Sequence, residues 1–218
     1  PPDMPEQDCS GDHRARYETI LTAAALDGWI ARLEAAPAYA LDTETTGLDP
    51  MQAELVGISF AIEAGVAAYL PLAHRYAGAP EQLARDAALA RLKPLLESPA
   101  PKIIGQHLKY DRHIFANCGI TLGGIEHSGV LDDTLLQSYV LEAHQSHERG
   151  NLTTRHLGLA TISYDDVTGK GASRIGFEQV AIERASEYAA EDADVTLRVR
   201  DALAPQIAAS DKLEFVYR

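Results

Sequence analysis

Three apolar segments with strand-forming residues lie close together in the first third of the chain. They cover Tyr39–Thr43, Glu54–Ile62 and Val66–Leu72, and the tight turn at Gly65 predicts that the last two form a hairpin. Helical patterns dominate the rest of the sequence, and the longest runs from Phe177 to about Ile207. Strands gathered early and helices gathered late predict an α/β fold, with a mixed β-sheet flanked by α-helices.

We predict further elements on both sides of these strands. A short strand at Tyr17–Leu21 precedes a helix from Thr22 to Ala35. The remaining predicted elements are a helix at Pro80–Glu97, a buried strand at Pro101–Gly105, helices at Tyr110–Cys118, Asp132–Glu142 and Asn151–Leu157, and a loop from Ala160 to Gly176.

The composition is typical of a globular domain with its own core, since 46% of the 218 residues are hydrophobic. No apolar run reaches the roughly 18 residues that span a bilayer, so we expect no membrane association. We expect residues 1–15 to be a flexible leader or interdomain linker, residues 16–210 one domain, and residues 211–218 the start of a connection to a following domain. Cys9 and Cys118 are isolated, so we expect no disulfide bond.

The net charge is −13, from 19 Lys and Arg residues against 32 Asp and Glu residues. This balance argues against a free-standing module that holds nucleic acid through basic side chains and counterion release. It leaves open an enzyme that contacts substrate phosphates through bound divalent cations. It also leaves open an acidic domain that another domain delivers to DNA.

An acidic pair lies at the end of the strand predicted from Tyr39. Side chains alternate across a strand, so Asp42 and Glu44 are expected on one face and Leu41 on the other, buried face. Two such carboxylates repel each other unless a cation lies between them, and their hard oxygen atoms favour Mg²⁺ or Mn²⁺ over zinc. Exposed acidic pairs are common, so this pair alone does not define a metal site.

Two later segments carry further candidates. Asp111 follows the predicted strand Pro101–Gly105, where an ordinary alternative is a charge favoured at the start of a helix. Tyr188 and Asp192 are four residues apart in the longest predicted helix and therefore share one face. Small alanine residues between them would allow a substrate or another backbone to approach closely, and a solvated helix surface is the alternative interpretation.

The chain thus carries an ordered set of motifs: D-x-E on a strand, an Asp after a later strand, and Y-x3-D on a late helix. This set resembles the DEDD exonuclease superfamily, in the DEDDy subgroup that has Tyr in the third motif. The stretches DTETTGLD, LVGISFAIEAGVAAYLPLAH, GQHLKYDR and YAAEDADVTL are similar to the 3′-5′ proofreading exonuclease domain of bacterial DNA polymerase I, a family A polymerase. The resemblance covers roughly residues 17–205 and implies a ribonuclease H-like fold.

The resemblance also implies roles for the acidic residues and the tyrosine. Asp42, Glu44 and Asp192 would hold a first divalent ion, and Asp42 would be shared with a second ion that Asp111 helps to place. Tyr188 would hydrogen-bond the attacking water. The expected cofactors are two Mg²⁺ or Mn²⁺ ions, with Zn²⁺ an alternative in the first site.

Five further residues are implied to contact the substrate. Leu48 and Tyr164 resemble positions that pack against the terminal bases of a frayed strand. Thr43, Gln106 and His107 are also implied to bind the DNA substrate. The family pattern has Asn where this chain has His107. The resemblance therefore does not establish whether this position makes the polar contact to the DNA backbone.

The function implied by the resemblance is removal of 5′-mononucleotides from single-stranded or frayed DNA 3′ ends. The expected setting is a bacterial cytoplasmic, nucleoid-associated enzyme of DNA replication and repair, with an attached polymerase domain. The isolated domain is expected to be a monomer. Three alternatives stay open: a non-catalytic scaffold within a polymerase, an RNA-trimming enzyme of the same superfamily, and an acidic protein–protein interaction domain.

Some other polar residues have ordinary explanations. Asp132 and Asp133 precede a predicted helix and are expected to cap it. Glu191 and Asp194 lie off the helix face of the third motif, so neither is a first choice as a metal ligand. Histidines without the spacing of a zinc site, expected to have surface or local hydrogen-bonding roles, are His127, His144, His147 and His156.

Overall fold

The computed structural model describes residues 16–123 and 131–217. The predicted leader at residues 1–15, which includes Cys9, lies outside the described residues, as do His127 and Arg218. Cys118 is a free cysteine. Within the two described ranges, no helix is long and apolar enough to cross a membrane.

Strands and helices make up most of the described residues. The strands are β1 (Arg16–Thr19), β2 (Ala38–Thr45), β3 (Leu55–Glu63), β4 (Val66–Pro71), β5 (Lys102–Gly105) and β6 (Leu131–Asp133). The α-helices are α1 (Ala23–Ala35), α2 (Arg85–Leu96), α3 (Leu108–Asn117), α4 (Thr134–Glu142), α5 (Arg149–Leu157), α6 (Tyr164–Thr168), α7 (Ile182–Ala208) and α8 (Asp211–Tyr217).

The strands form one mixed sheet in the order β1-β4-β3-β2-β5-β6. β2 lies in the interior, antiparallel to β3 and parallel to β5. β3 and β4 pair antiparallel across a turn in which Gly65 has a φ of 77°, which confirms the predicted hairpin. The parallel pairs β1–β4 and β5–β6 complete the sheet. The predicted α/β fold with a mixed sheet flanked by helices is therefore confirmed.

Both faces of β2 are covered, because its side chains alternate between two cores. Tyr39 and Leu41 are fully buried in the larger core with apolar side chains of α1, α2 and α3. Ala40 faces the other way and packs with Ala190 and Ala193 of α7. The small side chains on this face let α7 lie close to the strand that carries the acidic pair.

The helix predicted from Pro80 begins only at Arg85. The side chain of Gln82 accepts a hydrogen bond from the backbone N–H of His74 at 2.8 Å and donates one to the His74 carbonyl at 2.9 Å. These two bonds hold residues 80–84 against the segment after β4 instead of in a helix. The predicted start was therefore wrong.

Two segments predicted as the starts of helices adopt other structure. Leu131–Asp133 forms β6, which pairs with β5, so α4 begins at Thr134 rather than at Asp132. Phe177–Gln179 forms a 3₁₀ turn, so α7 begins at Ile182. The backbone groups of these short segments form hydrogen bonds in the sheet or in a turn. The helical periodicity of the side chains does not predict these hydrogen bonds.

The segment predicted as a loop contains the short helix α6 and a 3₁₀ turn at Gly171–Ser173. A capping box begins α6: the Ser163 side chain accepts from the backbone N–H of Asp166, and the Asp166 carboxylate accepts from the Ser163 N–H. The loop prediction was wrong for these residues, because reciprocal capping starts a helix without an apolar periodic pattern.

Gly57 on β3 allows an aromatic ring to lie directly against the sheet. A Cβ atom at this position would lie 2.1 Å from the Tyr69 hydroxyl oxygen. That hydroxyl lies 2.8 Å from Nε2 of His74, whose Nδ1 lies 2.9 Å from the Val180 carbonyl. Since a carbonyl only accepts, Nδ1 carries the proton and Nε2 accepts from the tyrosine. Gly57 pairs with Glu44 across the β2–β3 ladder, so this buried network supports the acidic end of β2.

Gly57→Ala should destabilise the chain by about 1–3 kcal/mol, the usual effect of overpacking a core, because the Tyr69 ring would have to move. Gly28→Ala is the matched control. Gly28 lies on the exposed face of α1 with nothing within 4 Å of the added Cβ, so there the change should stabilise by about 0.5–1 kcal/mol. Urea unfolding measures both effects, and wild-type stability of Gly57→Ala would contradict the packing described.

Candidate active site

The carboxylates of Asp42, Glu44 and Asp192 meet at the carboxyl-terminal end of β2. Each offers an oxygen atom, and these atoms all lie within 4.8 Å of one another. Asp42 and Glu44 project from one face of β2, as the alternation predicts, and α7 crosses that face so that Asp192 reaches them. The group is largely buried: 15% of the Asp42 side chain and 2% of the Asp192 side chain are exposed.

Asp111 approaches the same end of β2 from the first turn of α3. Its Oδ1 accepts hydrogen bonds from the backbone N–H of Thr43 at 3.1 Å and from the Thr43 hydroxyl at 2.6 Å. Asp111 is buried and lies outside the group of three carboxylates, but its charge and that of Asp42 interact. The structure therefore brings the four predicted acidic residues to one end of one strand.

A cation that the sequence analysis did not identify lies among these carboxylates. Arg149, the first residue of α5, donates from Nη1 to Oδ2 of Asp42 at 3.0 Å and from Nη2 to Oδ2 of Asp192. Nη2 also lies 3.3 Å from the Tyr188 hydroxyl. Sequence patterns do not single out Arg149, because one arginine in a polar segment has no spacing relation to the acidic motifs.

Burial and mutual repulsion make these carboxylates difficult to ionise. Burial, followed by the charges of Asp42 and Asp192, raises the pKa of Glu44 well above its usual value. Burial and the charge of Asp42 also raise the pKa of Asp111. Burial raises the pKa of Asp192 to about 7, although the positive charge of Arg149 acts to lower it. Burial also raises the pKa of Asp42, and Arg149 again acts in the opposite direction.

Arg149 and Tyr188 both stay protonated in this environment. Burial acts to lower the pKa of Arg149, but the carboxylates of Asp192 and Asp42 raise it above its ordinary value. Burial raises the pKa of Tyr188, and the charges of Asp192 and Glu44 add to this effect. The Tyr188 hydroxyl therefore keeps its proton beside the carboxylates at neutral pH.

Three aromatic rings extend the site away from the carboxylates. Tyr164 on α6 stacks with Phe177, with ring centroids 6.1 Å apart and planes inclined by 18°. The Tyr188 ring lies 6.3 Å from Tyr164 and 5.8 Å from Phe177. Tyr164 remains 39% exposed. The predicted residue Tyr164 thus lies beside Tyr188, whereas Phe177 was not among the predicted site residues.

The loop after β2 presents Leu48 to solvent, with 95% of the residue exposed. Tyr110 holds this loop, since its hydroxyl donates to the Gly47 carbonyl at 2.5 Å and lies 2.5 Å from the Thr45 hydroxyl. The predicted substrate contact Leu48 is therefore an exposed apolar side chain on an anchored loop, four positions after Glu44.

Two further predicted substrate contacts lie between β5 and α3. The Gln106 amide donates to the His147 carbonyl at 2.8 Å and accepts from the Thr134 hydroxyl, so both ends of this amide have protein partners. His107 is exposed and has a left-handed backbone with φ 66°, a conformation in which Asn and His are enriched. Its backbone N–H donates to the Asp133 carboxylate at 3.0 Å. Histidine in place of the family's Asn is thus compatible with this backbone.

The polar residues set aside in the sequence analysis have local roles. The Asp133 side chain caps α4, as predicted, and Asp132 instead accepts from Arg200 of α7. Glu191 accepts from a backbone N–H of the segment before α6, and Asp194 accepts from the Tyr17 hydroxyl. Local hydrogen bonds also involve His147 and His156.

The donor set of this site fits a hard divalent cation. Carboxylate oxygens are the ligands that Mg²⁺ and Mn²⁺ prefer, and three of them lie within 4.8 Å in a buried setting. When ionised, these three carboxylates outnumber the one guanidinium of Arg149, which pairs with two of them. Asp42, Glu44 and Asp192 could therefore hold a metal ion.

The mixed sheet with its flanking helices is a ribonuclease H-like fold. The catalytic core of RRP6 from Trypanosoma brucei superposes with a TM-score of 0.69 at 16% identity, over 93% of this chain and 50% of that chain. NrnC from Brucella melitensis, in a structure with bound Mg²⁺, superposes with a TM-score of 0.60 at 17% identity, over 93% of this chain and 87% of that chain.

Sequence comparison defines the family within this fold. A family model described as 3′-5′ exonuclease matches residues 17–208. DNA polymerase I from Pseudomonas aeruginosa is 49% identical over 198 residues, which cover 90% of this chain. The chain therefore belongs to the 3′-5′ exonuclease family that occurs in bacterial DNA polymerase I, and the predicted family is confirmed. It spans 21% of the length of that relative.

The Asp192 carboxyl should contribute stability to the metal-free chain that is lost as pH rises from about 4 to about 7. The pKa of Asp192 is about 7 in the folded chain but about 3.9 in an unfolded one, so between these values the folded state binds the extra proton. The raised pKa values of Glu44 and Asp111 act in the same direction. Thermal and urea unfolding in the presence of a chelator, at pH 5 and pH 8, measures the effect.

Asp192→Asn isolates this contribution from that of all other titrating groups. The wild-type chain should gain stability relative to this variant, by up to about 3 kcal/mol, when the pH is lowered from 8 to 5. A loss of relative stability over the same interval would contradict the electrostatics described for the site.

Proposed function

We propose that this chain removes nucleotides one at a time from the 3′ ends of DNA by a two-metal hydrolysis, releasing 5′-mononucleotides. The observation that carries the proposal is the meeting of Asp42, Glu44 and Asp192 within 4.8 Å, with Asp111 beside Asp42, in a member of the 3′-5′ exonuclease family. Four carboxylates in one place are unfavourable for stability, which favours a role in binding cations.

Two metal positions are proposed. Asp42, Glu44 and Asp192 would hold the first ion, and Asp42 with Asp111 would place the second. Once bound, two such ions activate a water molecule and stabilise charge on the attacking and leaving oxygens of a phosphodiester. Mg²⁺ or Mn²⁺ is favoured by the all-oxygen donor set and by the Mg²⁺ in NrnC, with Zn²⁺ an alternative in the first position.

Tyr188 is proposed to orient the attacking water. Its hydroxyl stays protonated, lies 3.3 Å from Arg149 Nη2, and shares a helix face with Asp192. The water attacks the terminal phosphodiester, and the bond to the 3′ oxygen of the preceding nucleotide breaks as that oxygen takes up a proton. The products are a 5′-mononucleotide and a strand shorter by one nucleotide.

Single-stranded or frayed 3′ ends are the proposed substrate. The exposed side chains of Leu48 and Tyr164 offer apolar surface near the carboxylates, on which unstacked bases can pack without sequence preference. Exposed His107 is proposed to contact the strand directly. Thr43 and Gln106 already hydrogen-bond protein groups, so we propose that they contact DNA while keeping these partners.

An attached polymerase domain is the proposed partner, because the curated relative is a DNA polymerase I about five times as long as the matched region. We propose residues 16–210 as the exonuclease domain and residues 211–218 as the start of the connection. The bacterial cytoplasm and the monomeric state of the isolated domain are part of the same proposal. The net charge of −13 supports delivery of DNA by another domain, since the chain has few basic residues with which to hold it.

The proposal is tested by incubating the 218-residue chain with Mg²⁺ or Mn²⁺ and end-labelled single-stranded DNA. Mononucleotides should appear, and Asp42→Ala with Glu44→Ala should abolish their release while leaving the fold nearly intact, because the change relieves repulsion. The matched control is Glu34→Ala with Glu81→Ala, which removes two exposed carboxylates. Wild-type rates in the Asp42/Glu44 variant would contradict the site.

RNA and DNA oligomers of equal sequence distinguish the remaining alternatives. We expect faster degradation of DNA, whereas preference for RNA would identify an RNA-trimming enzyme. Absence of mononucleotide release from both, under conditions in which a known exonuclease is active, would support a non-catalytic scaffold.

A further inference from the structure

Arg149 has an unusual position for a residue outside the acidic motifs. Its two terminal nitrogens reach carboxylates of two different elements, Asp42 on β2 and Asp192 on α7. Within the described ranges, it is the one Lys or Arg that pairs with the group formed by these two residues and Glu44. The guanidinium therefore supplies positive charge where the proposed function requires a metal ion.

The guanidinium of Arg149 and a first metal ion would compete for the carboxylates of Asp42 and Asp192. A Mg²⁺ ion held by Asp42, Glu44 and Asp192 would need oxygen ligands at roughly 2.0–2.1 Å, on its own side of each carboxylate. Arg149 already donates to Oδ2 of both aspartates. Two cations this close would repel each other strongly in a largely buried site.

The Arg149 side chain can leave without disrupting its helix. α5 is held against α7 by buried Leu152, which packs with Val199 and Leu203, and within α5 the Thr153 hydroxyl donates to the Arg149 carbonyl. These contacts involve the backbone of Arg149 or other residues, not its guanidinium. About a quarter of the Arg149 side chain is exposed, 23%, so a route to solvent exists.

We propose that Arg149 is an internal counter-ion that competes with the first divalent ion for Asp42 and Asp192 and swings aside when the ion binds. This inference rests on the proposed metal site. Arg149 would therefore stabilise the metal-free carboxylate group but weaken the affinity of the site for the first ion. The enzyme would then reach its active form only above a metal concentration that Arg149 sets.

Titration calorimetry with Mn²⁺ tests this on the 218-residue chain and its Arg149→Met variant. Removing the competing cation should tighten Mn²⁺ binding by about tenfold, equivalent to about 1.4 kcal/mol. The melting temperature of the metal-free variant should fall, and its rise on addition of Mn²⁺ should exceed that of the wild-type chain. Unchanged or weaker Mn²⁺ binding in Arg149→Met would overturn the proposal.

Two further variants serve as a matched control and as an intermediate case for the Mn²⁺ titration. Arg155→Met, on the same helix and paired with Glu142 instead, should leave Mn²⁺ affinity unchanged. Arg149→Lys keeps the charge but loses the two-pronged contact, so its affinity should fall between those of the wild type and Arg149→Met. If Arg149→Met does not fold without metal, equal Mn²⁺ affinity of Arg149→Lys and the wild type overturns the proposal.

The carboxylate variant separates failure of this inference from failure of the proposed function. Asp42→Ala with Glu44→Ala should lose Mn²⁺ binding if the metal site is correct. Loss of binding there together with an unaffected Arg149→Met variant would reject only the role of Arg149. Undiminished binding in the carboxylate variant would reject the metal site itself, and with it this proposal.

Discussion

Four carboxylates are buried together at one end of β2, where their negative charges repel one another. Burial removes the water that would screen these charges, so the pKa values of Asp42, Glu44, Asp111 and Asp192 are all raised. One guanidinium from Arg149 relieves only part of this repulsion. A site of this kind lowers stability in exchange for affinity toward a cation, which is a reason to regard it as functional rather than structural.

The fold brings these charges together through small residues and backbone hydrogen bonds. Ala190 and Ala193 allow α7 to approach β2, so that Asp192 reaches the acidic pair. Asp111 is held from the opposite direction by two hydrogen bonds from Thr43. On the neighbouring strand, Gly57 pairs with Glu44 and leaves room for the ring of Tyr69 on the same face as the carboxylates. Helix packing and these hydrogen bonds therefore bring Asp192 and Asp111 to the acidic pair, so the proposed ligands are assembled before a cation binds.

Local periodicity was sufficient to predict most of the sheet, whereas the motif residues were identified by their resemblance to the DEDDy exonucleases. Alternation along β2 placed Asp42 and Glu44 on one face, and four-residue spacing placed Tyr188 and Asp192 on one face of α7. Arg149 and Phe177 could not be predicted, because their roles arise from tertiary contacts between α5, the turn before α7 and the strand. The three-residue strand β6 and the late start of α7 were missed for a related reason. Pairing with β5 determines β6, and the turn at Phe177–Gln179 determines where α7 begins, whereas the side-chain pattern determines neither.

We propose that these four carboxylates hold two divalent ions, and anomalous diffraction from crystals of the chain soaked in Mn²⁺ tests this proposal. Two manganese peaks are expected, the first contacted by Asp42, Glu44 and Asp192, and the second by Asp42 and Asp111. Saturating Mn²⁺ with no peak among these residues, or with ions bound only elsewhere on the acidic surface, would contradict it.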